Sequence, residues 1–401
     1  MSLMRTKARE EELNAAFLAF LRDPTSQEEV SRFVKMGNLG ATYVGRGGVD
    51  TAIAHMVKAE RSPQRLLVDV SGVDAPLEEL DRLADACEPS VQVYVVGDRN
   101  DVGLYRNLLQ RGVVDYLVKP LSVELLRRSL TDSASRGVRQ TRQGKVITVC
   151  GTRGGVGVSS VAAHLARELA SRGGRRRVAY IDLDLYGGCG PGLLGLAGGN
   201  ALVEVLGNVN RLDPQYLERT LATQDSRLFV LASEMNYGEE FAPEGAALTE
   251  LLNILGQHFH YVVIDVPHCG GILANAAFAS AGLACVLTDQ TIHSARTVVR
   301  QVRHIETGSN RPTVYTVVNQ PQPLVRGSVA AKDFLAAIEV PVALNIPYDG
   351  RTMALSENLG EPLNARSDFA KAVGALASLV SGGGIAATRS GLLGRLRKVA
   401  S

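Results

Sequence analysis

Cysteine is scarce in this chain. Cys87, Cys150, Cys189, Cys269 and Cys285 are odd in number, scattered, and never spaced C-x-x-C. That argues against a disulfide framework and a thiolate metal cluster, and makes a reducing cytoplasm the default compartment. An excess of either charge is also lacking. Lys and Arg number 43 against 41 Asp and Glu, a net charge of +2, so there is no bulk attraction to nucleic acid. The local run Arg172, Arg175, Arg176 and Arg177 reads as a solvated helix–strand turn rather than a DNA patch. Long apolar runs are missing as well. The one uncharged stretch of spanning length, 266–287, consists mainly of Gly, Ala, Ser and Asn and contains His268. It reads as a buried helix near 273–281 and a strand at 283–287, not as a membrane span. Residues 1–14 mix both charge signs and have no apolar signal core.

What is present fits an ordinary globular chain. The 401 residues suggest two or three domains, and 45% hydrophobic content supplies sizeable cores. The most informative stretch is 146–162. A β-branched strand, 146–150, enters a glycine-rich turn, 151–157. Ser159 and Ser160 follow, then an alanine-rich helix carrying Val161, Leu165 and Leu169. Such a turn aims successive backbone N–H groups at one anion, and the helix N-terminus adds positive potential. A standard phosphate loop places Lys directly before the Ser or Thr, to hold the β- and γ-phosphates. Here that place is Val158.

Two apolar segments downstream end in acids. The run 178–185 reads as a strand ending in Asp182 and Asp184, and 261–267 as a strand ending in Asp265-Val266-Pro267. Buried parallel strands read as continuous apolar runs, and open α/β sheets bind ligands at strand C-terminal ends. Acids there, beside a phosphate loop, are placed to hold Mg²⁺ directly or through water. A strand at 314–319 ends in Asn319, whose amide can read an adenine edge. Another, 342–349, ends in Ile346-Pro347-Tyr348-Asp349. These elements, in this order, resemble the ParA/MinD ATPases over residues 144–380. Arg153-Gly154-Gly155-Val156-Gly157-Val158-Ser159 is similar to the deviant loop of that family, with Arg153 for its first lysine and Val158 for its second. The resemblance implies ATP and Mg²⁺ as cofactors. It places phosphate on Gly154, Gly155, Val156, Gly157, Val158, Ser159 and Ser160, and Mg²⁺ on Ser159 and Asp265. A water would be oriented by Asp182 or Asp184, and adenine bordered by Asn319, Pro347 and Asp349. It also implies a dimer in which Arg153 reaches the partner's phosphates as a bidentate fork.

The N-terminal third alternates strand-like runs (16–21, 41–44, 66–70, 91–96, 113–118) with helical ones (26–36, 50–58, 77–87, 102–110, 123–133). That is a five-fold βα doubly wound sheet. Asp69 ends its central strand. The segment 112–120, with Lys119-Pro120, resembles the last strand of response-regulator receiver domains. By that likeness Asp69 sits at the phospho-acceptor position and Lys119 contacts phosphate. Arg22-Asp23 replaces the receivers' acidic pair, however, and Gly97 stands near their Ser/Thr. Both departures favour a structural or interaction role over phosphorylation.

The expected architecture is therefore α/β with two doubly wound domains. Residues 1–135 form an atypical receiver-like (flavodoxin-like) domain, 136–144 a linker, and 145–380 a P-loop NTPase of the ParA/MinD type. Residues 381–401 form a Gly-rich break and a basic tail. The combination resembles the TadZ/CpaE family of pilus assembly proteins, which implies a cytoplasmic, polar homodimer serving the Flp/Tad pilus secretion machinery, with slow or absent ATP hydrolysis. Two alternatives stay open. One is a cycling ParA/MinD-type ATPase that positions cargo or a division or flagellar component. The other is a phosphorylation-controlled response regulator. In the tail, Leu392, Leu396 and Val399 follow i, i+4, i+7 spacing among Arg389, Arg395, Arg397 and Lys398. It reads either as an amphipathic segment lying on the anionic inner membrane or as a solvated end.

Overall fold

Two parallel sheets organise the chain. The computed structural model describes residues 15–130 and 143–382, apart from 38, 60, 61, 173–175, 213–215, 217, 218, 226, 269, 324 and 361. Most of the expected linker, the basic tail, Arg175 and Cys269 lie outside the described residues.

The first sheet has the order β2-β1-β3-β4-β5. Its strands are β1 (Phe17–Leu21), β2 (Thr42–Arg46), β3 (Arg65–Asp69), β4 (Gln92–Gly97) and β5 (Asp115–Val118). All pairings are parallel. This is the flavodoxin-like strand order. Helices α1 (Pro24–Met36), α2 (Val49–Lys58), α3 (Pro76–Ala86), α4 (Val102–Gln110) and α5 (Val123–Leu130) cover both faces. β1 lies inside the sheet, and its Phe-Leu-Ala-Phe-Leu is buried at every position. β2 lies on the edge and is only partly buried. Local chemistry starts the helices: α1 has Pro24 at its first turn and the Asp23 carboxylate accepting from Ser26 N, a pre-formed N-terminus.

The second sheet has the order β13-β12-β11-β6-β10-β7-β9-β8, parallel except for the β8–β9 pair. Its strands are β6 (Lys145–Gly151), β7 (Val178–Asp182), β8 (Ala222–Thr223), β9 (Leu228–Leu231), β10 (Tyr261–Asp265), β11 (Leu283–Thr288), β12 (Thr313–Asn319) and β13 (Val342–Ile346). The intervening helices are α6 (Val158–Ser171), α7 (Gly190–Leu193), α8 (Ala201–Gly207), α9 (Gly245–His258), α10 (Ile272–Ser280), α11 (Ile292–Glu306), α12 (Ala331–Ile338), α13 (Gly350–Leu359) and α14 (Asp368–Ser381). On one face Leu251 and Leu255 of α9, Ala277 of α10 and Val298 of α11 form the core. On the other, Leu165 and Leu169 of α6 meet Leu376 and Val380 of α14. The neighbours β6, β10 and β7 are the continuous apolar runs that double-sided burial requires. Their register sets Asp265 of β10 beside Val149 of β6 and Asp182 of β7.

Two expectations need correction. The strand read as 178–185 stops at Asp182, because that carboxylate turns the chain: Oδ1 accepts from Asp184 N (3.0 Å) and Oδ2 from Gly190 N (3.1 Å). Nor are Arg172, Arg176 and Arg177, the described arginines of the basic run, simply solvated. Arg172 Nε donates to Glu168 at 2.7 Å and Nη1 to Ser378 Oγ at 2.6 Å. Arg176 pairs with Asp85 at 2.5 Å and Arg177 with Glu88 at 3.3 Å. The Arg177 guanidinium also lies 4.7 Å from the Phe229 ring centre and 4.9 Å from that of Phe259. The last two arginines thus join the α3 end of the first sheet's layer to the strand starts of the second, pairing charge with stacking.

Candidate functional site: a glycine loop facing two buried carboxylates

The C-terminal edge of the second sheet holds a cavity of about 620 Å³. The loop after β6 forms its floor. Gly155 and Gly157 adopt left-handed φ of 75° and 91°, a region that side chains with a Cβ rarely enter. A Cβ on Gly157 would stand 2.5 Å from Asn319 Nδ2, so glycine there serves both conformation and close approach. Gly154 and Gly155 are exposed to the cavity, while Val156 is buried. Asn319 Nδ2 donates to Val156 O at 2.7 Å. The amide expected beside a base therefore braces the loop, with its second N–H and its carbonyl oxygen remaining.

Val158 packs with the α6 face of the core. Its Cγ2 would lie 2.5 Å from a Cβ on Gly151, so the side chain folds back over the end of β6. No cationic group stands at that place. Ser159 and Ser160 open α6 and line the cavity, and Ser160 Oγ approaches Glu357 Oε1 at 3.4 Å. Asn319, Pro347 and Asp349 line the cavity as well, and Asp349 Oδ1 accepts from Thr352 N at 3.2 Å to cap α13.

Asp182 and Asp265 end adjacent strands, and both are almost fully buried. Burial raises both carboxyls; each is pushed further by a neighbouring acid, Asp182 by Asp265 and Asp265 by Asp184. Tyr180 Oη donates to Asp265 Oδ2 at 3.1 Å, and Ser159 also hydrogen-bonds Asp265. Among the described residues neither carboxylate pairs with a Lys, Arg or His. The three acids do not play one part. Asp265 and Asp184 line the cavity and Asp182 does not; Asp182 accepts from the turn N–H groups of Asp184 and Gly190, and Asp184 Oδ1 accepts from those of Tyr186 and Gly187.

A buried carboxylate pair without a counter-charge fits a divalent cation. Asp265, Asp184 and Ser159 are the groups that would hold it. No cluster of three or more His, Cys, Asp or Glu suited to a metal occurs among the described residues, so Mg²⁺ would take its other ligands from phosphate and water.

Arg153 lines the cavity but is turned aside. Its Nε donates to Asp289 Oδ2 at 2.9 Å, Nη2 binds the same oxygen, and Nη1 donates to Gly154 O at 2.9 Å. Asp289, just beyond β11, was not singled out from the sequence. Its signal was the one used for Asp182 and Asp265, an acid closing an apolar strand. Two further lining residues that sequence reasoning left unassigned are His268, whose Cε1 lies 3.6 Å from a Cβ built on Gly154, and the exposed Cys189.

A second acid cluster lies at the end of β3. Asp69 is fully buried. Its Oδ2 accepts from Lys119 Nζ (2.6 Å) and Arg22 N (2.9 Å), and Oδ1 from Ser71 N (2.8 Å). Lys119 Nζ also reaches Asp23 Oδ2 at 2.6 Å, and Arg22 Nη1 donates to Ser71 O at 3.0 Å. Burial alone would raise Asp69, but hydrogen bonds from Lys119, Ser71 and Arg22 hold it below the usual carboxylate range. At Gly97 a Cβ would fall 2.3 Å from Tyr116 Oη; the space of a hydroxyl side chain is taken by that ring.

Known proteins resemble the second half. Residues 142–302 match the family model described as ParA: NUBPL iron-transfer P-loop NTPase. A Guillardia theta protein described as septum site-determining protein MinD is 27% identical over 228 residues, 55% of this chain and 80% of its own. The chromosome partitioning protein ParA of Myxococcus xanthus is 30% identical over 148 residues, 34% of this chain and 50% of its own. The septum site-determining protein MinD of Pyrococcus horikoshii, solved in complex with Mg-ADP, superposes with a TM-score of 0.51 at 21% identity. It covers 59% of this chain and 96% of its own. The second sheet and its loop thus share the α/β P-loop fold of the ParA/MinD proteins.

Proposed function

We propose that this chain binds ATP–Mg²⁺ on the loop 154–160, pairs with a second copy, and acts as a localisation and assembly factor with slow or absent hydrolysis. The observation that carries this reading is Val158. The loop keeps the glycine cradle and the carboxylates expected to serve a metal, but an apolar side chain folded onto Gly151 replaces the cation. Phosphoryl transfer needs positive charge where negative charge develops. Nucleotide binding needs it less, because loop N–H groups and the α6 N-terminus already face the anion. Bound Mg²⁺ would supply further neutralisation there.

The finer reading is an assembly factor of the TadZ/CpaE kind, serving the Flp/Tad pilus secretion machinery from a polar cytoplasmic position. It is supported by the pairing of a P-loop unit (145–380) with a receiver-like unit (1–135). The strand order β2-β1-β3-β4-β5 and the Asp69–Lys119 contact support the receiver likeness. The alternative of a phosphorylation-controlled regulator is disfavoured by Arg22 in place of a second acid beside Asp23, and by Tyr116 filling the space where Gly97 replaces a hydroxyl residue. Among the described residues no helix is long and apolar enough to cross a membrane, so a membrane association would be peripheral, through the tail.

The test is steady-state hydrolysis of wild type against Val158→Lys, with ATP binding measured alongside. Wild type should bind ATP–Mg²⁺ and turn over slowly, and the lysine should raise turnover about tenfold or more. Fast wild-type turnover with no gain from lysine would favour the cycling-ATPase alternative.

A further inference from the structure

Among the described residues lining the cavity, Arg153 is the one arginine or lysine. The remaining charges there are Asp184, Asp265, Asp349 and Glu357. With Val158 at the lysine position, Arg153 is the available side-chain cation for a phosphate, yet its guanidinium is committed elsewhere. Nε and Nη2 both bind Asp289 Oδ2. Asp289 is itself held: Oδ1 accepts from Thr291 Oγ1 at 3.0 Å and from Ser294 Oγ, and Thr152 Oγ1 donates to Ser294 Oγ at 2.9 Å. Its relative exposure is only 5%. Burial alone would raise this carboxyl, but hydrogen bonds from Arg153, Ser294 and Thr291 outweigh it, and it stays ionised.

Two consequences follow from charge. An Arg–Asp pair has no net charge, so in this arrangement the loop offers a triphosphate little side-chain attraction. Moving Arg153 to a phosphate would strand a buried carboxylate, which is costly. Asp289 and phosphate therefore compete for one guanidinium.

We infer that Asp289 is a positioning residue that latches Arg153 away from the phosphate site, and that a nucleotide engages Arg153 only by taking it from Asp289. This rests on the nucleotide reading of the cavity. The latch joins the loop after β6 to the start of α11 through Thr152, Ser294 and Asp289. Nucleotide occupancy would thus be reported to α11 without movement of the sheet. It also sets a ligand order. The more phosphate charge a ligand carries, the better it competes with Asp289.

The test is a binding series with ATP, ADP and adenosine, in Mg²⁺, on the full chain and its variants. Asp289→Asn keeps the size and an acceptor oxygen but removes the charge. It should tighten ATP about tenfold, ADP less, and adenosine not at all. In an Arg153→Ala background Asp289→Asn should tighten ATP far less, because the cation for which Asp289 and phosphate compete has gone. Ser294→Ala, which loosens Asp289 without touching Arg153, should tighten ATP in the same direction by a smaller factor. It serves as the second variant if Asp289→Asn folds poorly, as judged by thermal melting. Weaker ATP binding in Asp289→Asn would overturn the latch and make Asp289 an aiming group. Equal tightening with and without Arg153 would overturn it too, as a general charge effect. If wild type and every variant ignore ATP, the nucleotide reading itself fails, and the latch with it.

Discussion

Two carboxylate sites end strands in the two sheets, and they are solved in opposite ways. At the end of β3, Asp69 is buried against Lys119, which it shares with Asp23. At the ends of β7 and β10, Asp182 and Asp265 are buried with no cation partner among the described residues. The consequence is visible in the proton equilibria. Burial opposes ionisation of Asp69, but Lys119 reverses it and its carboxyl is held down. Burial also opposes ionisation of Asp182 and Asp265, nothing reverses it, and both rise. The first site is complete in the chain alone. The second is chemically unfinished and suited to a cation from outside.

The sharpest way to break this contrast is to remove the internal cation. Lys119→Met leaves Asp69 buried and unpaired, and should lower stability by about 3 kcal/mol. Asp69→Asn in the same chain should recover part of that loss in thermal or urea denaturation. No loss from Lys119→Met would mean that Asp69 is solvated after all.

Removing charge from the second site should act in the opposite direction. Asp265→Asn is expected to stabilise the metal-free protein by about 1–2 kcal/mol, because it relieves a buried repulsion. The sign depends on pH. A carboxyl whose folded pKa is raised loses stability as pH rises from its unfolded value through its folded one. The gain from Asp265→Asn should therefore be full near pH 8 and vanish near about pH 4. The same variant should lose the Mg²⁺ dependence of nucleotide affinity.

Much of the second sheet is legible in the sequence, for a physical reason. The strands β6, β7 and β10 are buried on both faces, so they read as unbroken apolar runs. The helix–strand reading of 266–287 likewise matches α10 and β11 to within a residue. What the sequence could not display are pairings across long separations. Arg153 meets Asp289 136 residues away, Arg176 meets Asp85 91 residues back, and Asn319 braces Val156 163 residues earlier. Arg153, Arg176 and Asn319 stand out in their own segments, but nothing local names their partners, and only the fold brings the partners together. The same limit applied to Asp182 and Asp184. Two acids separated by one residue look equivalent in sequence, and both accept from turn N–H groups, but Asp182 is buried and only Asp184 lines the cavity.

A smaller effect concerns the packing behind the cavity. His164, on α6, contacts Ser356 Oγ of α13 through Nε2 at 3.0 Å. Burial pushes the imidazole down to about 3. The folded state therefore refuses a proton that the unfolded chain accepts below its ordinary value of 6.5. Stability is full above that value and is lost as pH falls towards about 3. His164→Gln keeps a hydrogen-bonding group but cannot titrate. Its stability should be flatter between about pH 6.5 and about pH 4, by about 2–3 kcal/mol relative to wild type. Parallel curves for the two proteins would place the acid sensitivity elsewhere.

The contrast between the two acid sites rests on whether the second one takes a cation together with nucleotide. Calorimetric titration of the full chain with ATP, with and without Mg²⁺, tests it when run near pH 6.5 in two buffers of different ionisation heat. Binding should be much stronger with Mg²⁺ and should release protons, because a cation beside Asp265 drives its raised carboxyl to ionise. Binding that is indifferent to Mg²⁺, or that releases no proton, would contradict it.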